Sequence, residues 1–192
     1  MTRTFLALEM NTNLQSHLER VIDQVAQVLP DARWVNPAGI HLTLSFLGEI
    51  DDTQLAEAMQ AAQAAAQQCH AFTYRLSRLG IFGNVRHPRV IWMGIEEPSG
   101  ALNQVHRVLQ QQLIQHGFEV DMRPFSPHLT LARVKAPLPP AQQQQLQSLL
   151  EGKQKGIVSP DVYAVRHIAV IKSELSRNGA KYTSLQEYQL LP

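Results

Sequence analysis

Apolar and polar positions along this chain alternate with a period of two in some stretches and near 3.6 in others, the signatures of strands and helices. Residues 4–8 read as a strand. Leu14, Leu18, Val21, Ile22, Val25 and Val28 then recur at helical spacing. They predict a helix over 11–29, with Asn11, Thr12 or Asn13 as N-cap and Pro30 as its stop. Trp34 and Val35 lead into a strand over 39–46, which Gly48 ends. Asp51 or Asp52 caps an alanine-rich helix over 53–68. Phe72, Tyr74 and Leu76 alternate as a strand, a glycine-rich connection covers 80–88, and an apolar strand covers 89–95. Ser99 caps a helix over 100–116 with Leu102, Val105, Leu109 and Leu113 as its stripe and Gly117 as its C-terminal signal. A strand over 127–134 and a helix over 141–150 follow. Two strands, over 162–173 and 181–190, flank a turn at Arg177, Asn178 and Gly179.

Strand-to-strand steps without an intervening helix predict antiparallel sheets, hence an α+β fold. No stretch has the composition of a linker, so residues 1–192 read as one domain. The strands over 39–46 and 127–134 are each followed by a helix. This suggests an internal duplication that puts the two strands at related positions in two lobes.

Those two strands carry the chemistry. The tetrapeptide His-Leu-Thr-Leu occurs at residues 41–44 and again at 128–131. Alternation puts His41 and Thr43 on one face of a strand and both leucines on the other, and treats His128 and Thr130 alike. Two imidazoles and two hydroxyls around one substrate group are the inventory for acid–base chemistry at a phosphate. Histidine is the side chain whose ordinary pKa lets both protonation states exist near neutrality. Each positioned acid or base contributes roughly 10²–10⁴-fold in rate. Arg133 is available for a charge-assisted bond to phosphate, but strict alternation aims it away from the His128 face, so its participation requires a bulge or the strand's end.

Composition narrows the alternatives. With 44% hydrophobic and 17% charged residues among 192, the chain has the make-up of a soluble globular protein. It has no apolar run long enough to span a membrane, and its start lacks the form of a signal peptide. The single cysteine, Cys69, excludes an internal disulfide and a cysteine-based metal site, and a cytoplasmic location is expected. Net charge is +1, yet no acidic residue falls between Glu57 and Glu96, or between Asp121 and Glu151. Arg75, Arg78, Arg86 and Arg89 occupy the first gap, and Arg123, Arg133 and Lys135 the second. Local positive potential with a near-neutral total suits a small phosphate-bearing ligand or an RNA end better than long duplex DNA. Two histidines are too few for a typical zinc site, and no Gly-x-Ser-x-Gly elbow marks a serine hydrolase. His17, His70, His106, His116 and His167 have no partner pattern. Trp34 and Trp92 read as core, and core is also the default for Phe46, Phe82 and Phe125, which lie close enough to the motifs to stack on a nucleobase.

The two motifs resemble the paired His-x-Thr-x signature of the 2H phosphoesterase superfamily. Within it, the chain is similar to the bacterial and archaeal RNA 2′,3′-cyclic phosphodiesterases, historically called 2′-5′ RNA ligases. The resemblance runs through Arg33-Trp34-Val35, residues 41–48, Phe82-Gly83, residues 88–92, residues 123–133, Ser173-Glu174-Leu175, and then Gly179, Tyr182 and Leu185. It implies two lobes, each an antiparallel sheet with flanking helices, around a central cleft. It implies hydrolysis of terminal RNA 2′,3′-cyclic phosphates, those of tRNA fragments included, to 2′-phosphomonoesters without a metal or other cofactor. By the same resemblance His41 is the proton donor, His128 the proton acceptor, and Thr43, Thr130 and Arg133 bind substrate. Reversal of the reaction would join RNA ends through a 2′-5′ linkage. Two alternatives remain: a phosphodiesterase acting on small cyclic nucleotides or other cyclic phosphates, and a noncatalytic RNA-end binding module. A monomer that does not engage membranes is the default expectation.

Overall fold

The computed structural model describes residues 1–10, 12–152, 157, 160–176 and 179–192. Its elements run β1 (Thr2–Glu9), α1 (Thr12–Ala26), β2 (Arg33–Trp34), β3 (His41–Ile50), α2 (Asp52–Ala66), β4 (Phe72–Gly83), β5 (Pro88–Glu96), α3 (Ala101–Gln115), β6 (His128–Arg133), α4 (Pro140–Leu150), β7 (Tyr163–Val165), β8 (His167–Ser176) and β9 (Gly179–Gln189). One sheet has the order β3-β1-β8-β9 and the other β2-β6-β5-β4-β7. Every strand pairing within them is antiparallel, as an α+β fold requires.

The duplication is visible in the topology. β3 pairs with β1, the strand before α1, and α2 follows it. β6 pairs with β5, the strand before α3, and α4 follows it. Each motif strand thus lies at or next to a sheet edge, and β3 and β6 touch each other where the two sheets meet.

Burial explains why these strands hold. Leu42 and Leu44 of β3 and Leu129 and Leu131 of β6 enter one cluster of buried side chains that includes the apolar stripes of α1 and α3. Burial of one such leucine is worth about 1.5–3 kcal/mol relative to exposure. β1 is central, and residues 4 to 8 are all buried. Its Leu6 and Leu8 face the main core, while Phe5 and Ala7 join Ala169 and Ile171 in a separate cluster on the other face. Gly117, at φ +82°, terminates α3 as expected: Phe118 N–H donates to Leu113 C=O at 2.9 Å and Gly117 N–H to Ile114 C=O at 3.0 Å. Asp51 caps α2 in a reciprocal box with Gln54.

Several boundaries differ from the sequence reading. α1 ends at Ala26, before Pro30, and its candidate cap Asn11 lies outside the described residues, as do two residues of the 177–179 turn. Gly48 does not end β3. It sits inside the strand at φ +75°, next to a register shift. The 80–88 connection is mostly strand, because Gly80 to Gly83 pair with β5 and leave only a tight turn at 84–87. Ser99 is not the cap of α3: Gly100 occupies that position, and the Glu97 carboxylate accepts from Leu102 N–H at 3.0 Å. Trp34 does not lead directly into the first motif strand but pairs with β6 in the other sheet. The strand over 162–173 breaks at Arg166, so β7 joins one sheet and β8 the other.

Candidate active site

Each motif histidine sits at the first residue of its strand and is held in the same way. His41 Nδ1 donates to Gly39 C=O at 2.8 Å, and His128 Nδ1 donates to Ser126 C=O at 2.7 Å. A carbonyl only accepts, so Nδ1 carries a proton in both charge states of each ring. Nε2 is therefore the nitrogen that gains and loses a proton. Aromatic rings fix the planes. The Phe5 ring stacks on His41 with centroids 4.4 Å apart, and Tyr182 meets His41 edge-on at 4.9 Å. Phe82 meets His128 edge-on at 4.8 Å, with Trp92 at 6.2 Å. Gly39 permits the first arrangement, because a Cβ there would lie 3.3 Å from the Tyr182 ring.

Cross-strand register defines the face on which the histidines stand. Thr43 lies opposite Ala7, and Phe46 opposite Phe5. In the other sheet His128 lies opposite Gly94 and Thr130 opposite Trp92. Thr43 and Thr130 thus follow their histidines on the same face, half-buried, while the motif leucines point into the core.

Both motif strands then carry the same irregularity. The register of β3 shifts between Thr43 and Ser45, and that of β6 between Thr130 and Ala132. An extra residue in a strand reverses the alternation beyond it. Leu44 and Ser45 are both buried, as are Leu131 and Ala132. The next residues, Phe46 and Arg133, therefore swing onto the face of the motif histidines. This bulge is the condition that strict alternation set for Arg133. Its guanidinium is exposed beyond Thr130, and Phe46, expected in the core, is 68% exposed beyond Thr43.

Helix α3 ties the two halves together. Gln110 Nε2 donates to Leu44 C=O at 3.3 Å and to His106 Nε2 at 3.3 Å. The His106 ring stacks on Phe125 with centroids 3.9 Å apart and planes 6° from parallel, three residues before His128. Among the described residues the buried Gln110 Oε1 has no hydrogen-bond partner. An orphaned buried oxygen costs about 1–3 kcal/mol, so the amide is held for its two donor contacts.

Burial pushes the His41 pKa below its ordinary 6.5, partly offset by the Gly39 carbonyl. The free site therefore favours neutral His41. His106 is also pushed down by burial, which suits a ring accepting from Gln110. Among the described residues no group of three His, Cys, Asp or Glu side chains could hold a metal ion.

A profile describing the 2′-5′ RNA ligase superfamily matches residues 14–176, which contain both motifs and both bulges. The chain belongs to the 2′-5′ RNA ligase superfamily. Its similarity to the RNA 2′,3′-cyclic phosphodiesterase of Geobacillus stearothermophilus is 29% identity over 187 residues, 97% of this chain and 57% of that one. The chain thus spans little more than half the length of that relative. A crystal structure of TT0787 from Thermus thermophilus matches with a TM-score of 0.81 and 27% identity, covering 98% of this chain and 97% of the other. E. coli LigT complexed with 3′-AMP matches with a TM-score of 0.72 and 26% identity, covering 100% of this chain and 99% of that one. The two-sheet fold with its paired motifs is thus that of 2H phosphoesterases, as the sequence resemblance implied.

Sequence reasoning missed Phe5 and Gln110, and it named Tyr182 in the resemblance without giving it a place at the site. Phe5 and Tyr182 lie far from either motif in sequence, on β1 and β9. Gln110 reads as one more polar residue on a helix. Only the tertiary fold brings these three to the site.

Proposed function

We propose that this protein hydrolyses the 2′,3′-cyclic phosphate at RNA ends to a 2′-phosphomonoester, by metal-independent acid–base catalysis between His41 and His128. The observation that carries the reading is the matched pair of imidazoles. Both are anchored through Nδ1–H, with Nε2 left to move protons, on two touching strands. The names of relatives that match most of the chain support the substrate, as does nucleotide binding by E. coli LigT.

In this proposal His128 Nε2 takes a proton from water as its oxygen attacks phosphorus. The bond from phosphorus to the 3′ oxygen breaks, and His41 Nε2–H protonates that oxygen. The 2′ ester bond survives, His41 ends neutral and His128 cationic, and solvent exchange resets both. Thr43 and Thr130 donate to the nonbridging oxygens, and the exposed Arg133 offers a charge-assisted bond. His41 starts out favouring the neutral form, which a proton donor cannot be. An anionic phosphodiester beside it favours the imidazolium, so substrate binding recruits the proton that catalysis spends. Phe46 offers a stacking face for the terminal base. Running the same steps backwards, with an RNA 5′-hydroxyl in place of water, gives 2′-5′ ligation. A monomeric, single-domain, cytoplasmic protein acting on RNA ends such as tRNA fragments completes the proposal.

The test is hydrolysis of an oligonucleotide ending in a 2′,3′-cyclic phosphate by wild type, His41→Ala and His128→Ala, with and without a chelator. Each substitution is expected to lower kcat at least ~10²-fold while the chelator changes nothing. Full activity in either variant, or loss on chelation, would refute the mechanism.

A further inference from the structure

β2 is two residues long and forms the outer edge of its sheet, against β6. Trp34 lies opposite Ala132, packs on the core, and donates its Nε1–H to Leu29 C=O at 3.2 Å. Alternation turns Arg33 to the other face, directly opposite Arg133. The bulge at Leu131 and Ala132 has already brought Arg133 to the His128 side, so Arg33 stands there too. Both arginines are exposed, and neither guanidinium forms a hydrogen bond or ion pair among the described residues.

Two like charges directly opposite each other destabilise a strand pair. No carboxylate among the described residues offsets them here, so the arrangement suits anionic groups of a ligand at both. Arg133, one row beyond Thr130, serves the terminal phosphate, and Arg33, one strand further out at the sheet edge, is left for a second anionic group. The row of Arg33, Arg133, Val90 and Phe82 comes after the row of Thr130, Trp92 and Gly80. Successive rows on one face are two residues, roughly 7 Å, apart. That is the scale of one nucleotide step along an extended RNA strand.

We infer that Arg33, beside Arg133, binds the internucleotide phosphate adjoining the reactive end, so that the site prefers an RNA strand to a mononucleotide. This rests on the RNA-end reading above but has a test of its own that needs no turnover. Calorimetric titration would compare a trinucleotide carrying a 2′-phosphate with the corresponding 2′-phosphate mononucleotide, on wild type, Arg33→Ala and Arg33→Lys. Wild type is expected to bind the trinucleotide more tightly. Arg33→Ala should weaken trinucleotide binding about tenfold, as loss of one charge-assisted contact implies, and leave the mononucleotide within about twofold. The dependence of log K on log salt for the trinucleotide should fall by about 0.7 per lost phosphate contact. Arg33→Lys, which keeps the charge, should recover most of the affinity. Equal weakening of both ligands, or unchanged trinucleotide affinity and salt slope, would overturn the assignment. If these binding differences appear but no cyclic phosphate is cleaved, the activity fails and Arg33 stands. Cleavage with unaltered binding in Arg33→Ala leaves the activity standing and removes Arg33.

Discussion

Gly80→Ala tests whether the bed beneath His128 is rigid. Gly80 lies on β4 opposite Trp92, and the indole covers it so closely that an added Cβ would fall 2.2 Å from two ring carbons and 2.6 Å from a third. Comfortable carbon–carbon separation is about 3.5–4.0 Å, so the ring must retreat by roughly 1.5 Å or the strands must part. Overpacking of this kind costs typically about 1–3 kcal/mol. For a chain of this size that lowers Tm by roughly 2–4 °C per kcal/mol. Trp92 shares a row with Thr130 and lies 6.2 Å from the His128 ring, so its displacement reaches the chemistry. A misplacement near 1 Å is worth up to about 10²-fold in rate. Thermal unfolding by circular dichroism and turnover of a 2′,3′-cyclic mononucleotide measure the two effects. On a Trp92→Leu background the clash is gone, and Gly80→Ala should cost at least about 0.5 kcal/mol less in stability. A Gly80→Ala protein with wild-type Tm and wild-type turnover would refute the packing argument.

Other consequences are equally specific. Burial holds free His41 below its ordinary pKa of 6.5, and a proton donor must be protonated, so kcat/KM should fall with rising pH through a limb below that value. Bound phosphate favours the imidazolium, so the corresponding limb of kcat should lie at higher pH, and coincident limbs would contradict this. Phe46→Ala removes an exposed ring and should leave Tm nearly unchanged while weakening a nucleotide 2′-phosphate by about 1–3 kcal/mol. Inorganic phosphate should bind as before, and equal loss for both ligands in an inhibition assay would exclude stacking. Gln110→Leu loses the donors to Leu44 C=O and His106 Nε2 but also removes the orphaned Oε1, terms of opposite sign of about 1–3 kcal/mol each that partly offset in stability. Its expected signature is a lower kcat at nearly unchanged KM, and an unchanged kcat would show that the tether does not position the site.

The motifs were legible because period-two alternation sorts His41 and Thr43 from Leu42 and Leu44 without any tertiary information, and the second copy repeats the sorting. What followed each motif was not legible. Ser45 and Ala132 are ordinary strand residues, and nothing local distinguishes them as bulge positions. The bulges arise from register with β1 and β5, and they decide which face Phe46 and Arg133 occupy. Gly80 looks like a loop glycine because the reason for it, the Trp92 ring, is twelve residues away across a hairpin. The crossing of Trp34 to β6 and the division of residues 162–173 between two sheets are long-range pairings that no local pattern encodes. α2, α3 and α4 were readable because stripes, caps and prolines act locally, although Gly100 and not Ser99 takes the cap position of α3.

Two histidines that open a cyclic phosphate in one direction without a metal must leave one product. Phosphorus NMR of the product formed from an oligonucleotide with a 2′,3′-cyclic phosphate, in the presence of chelator, tests this. A single 2′-phosphomonoester resonance is expected from the wild-type protein, and an unreacted cyclic phosphate from both His41→Ala and His128→Ala. A 3′-phosphomonoester, or no product until a divalent cation is added, would contradict it.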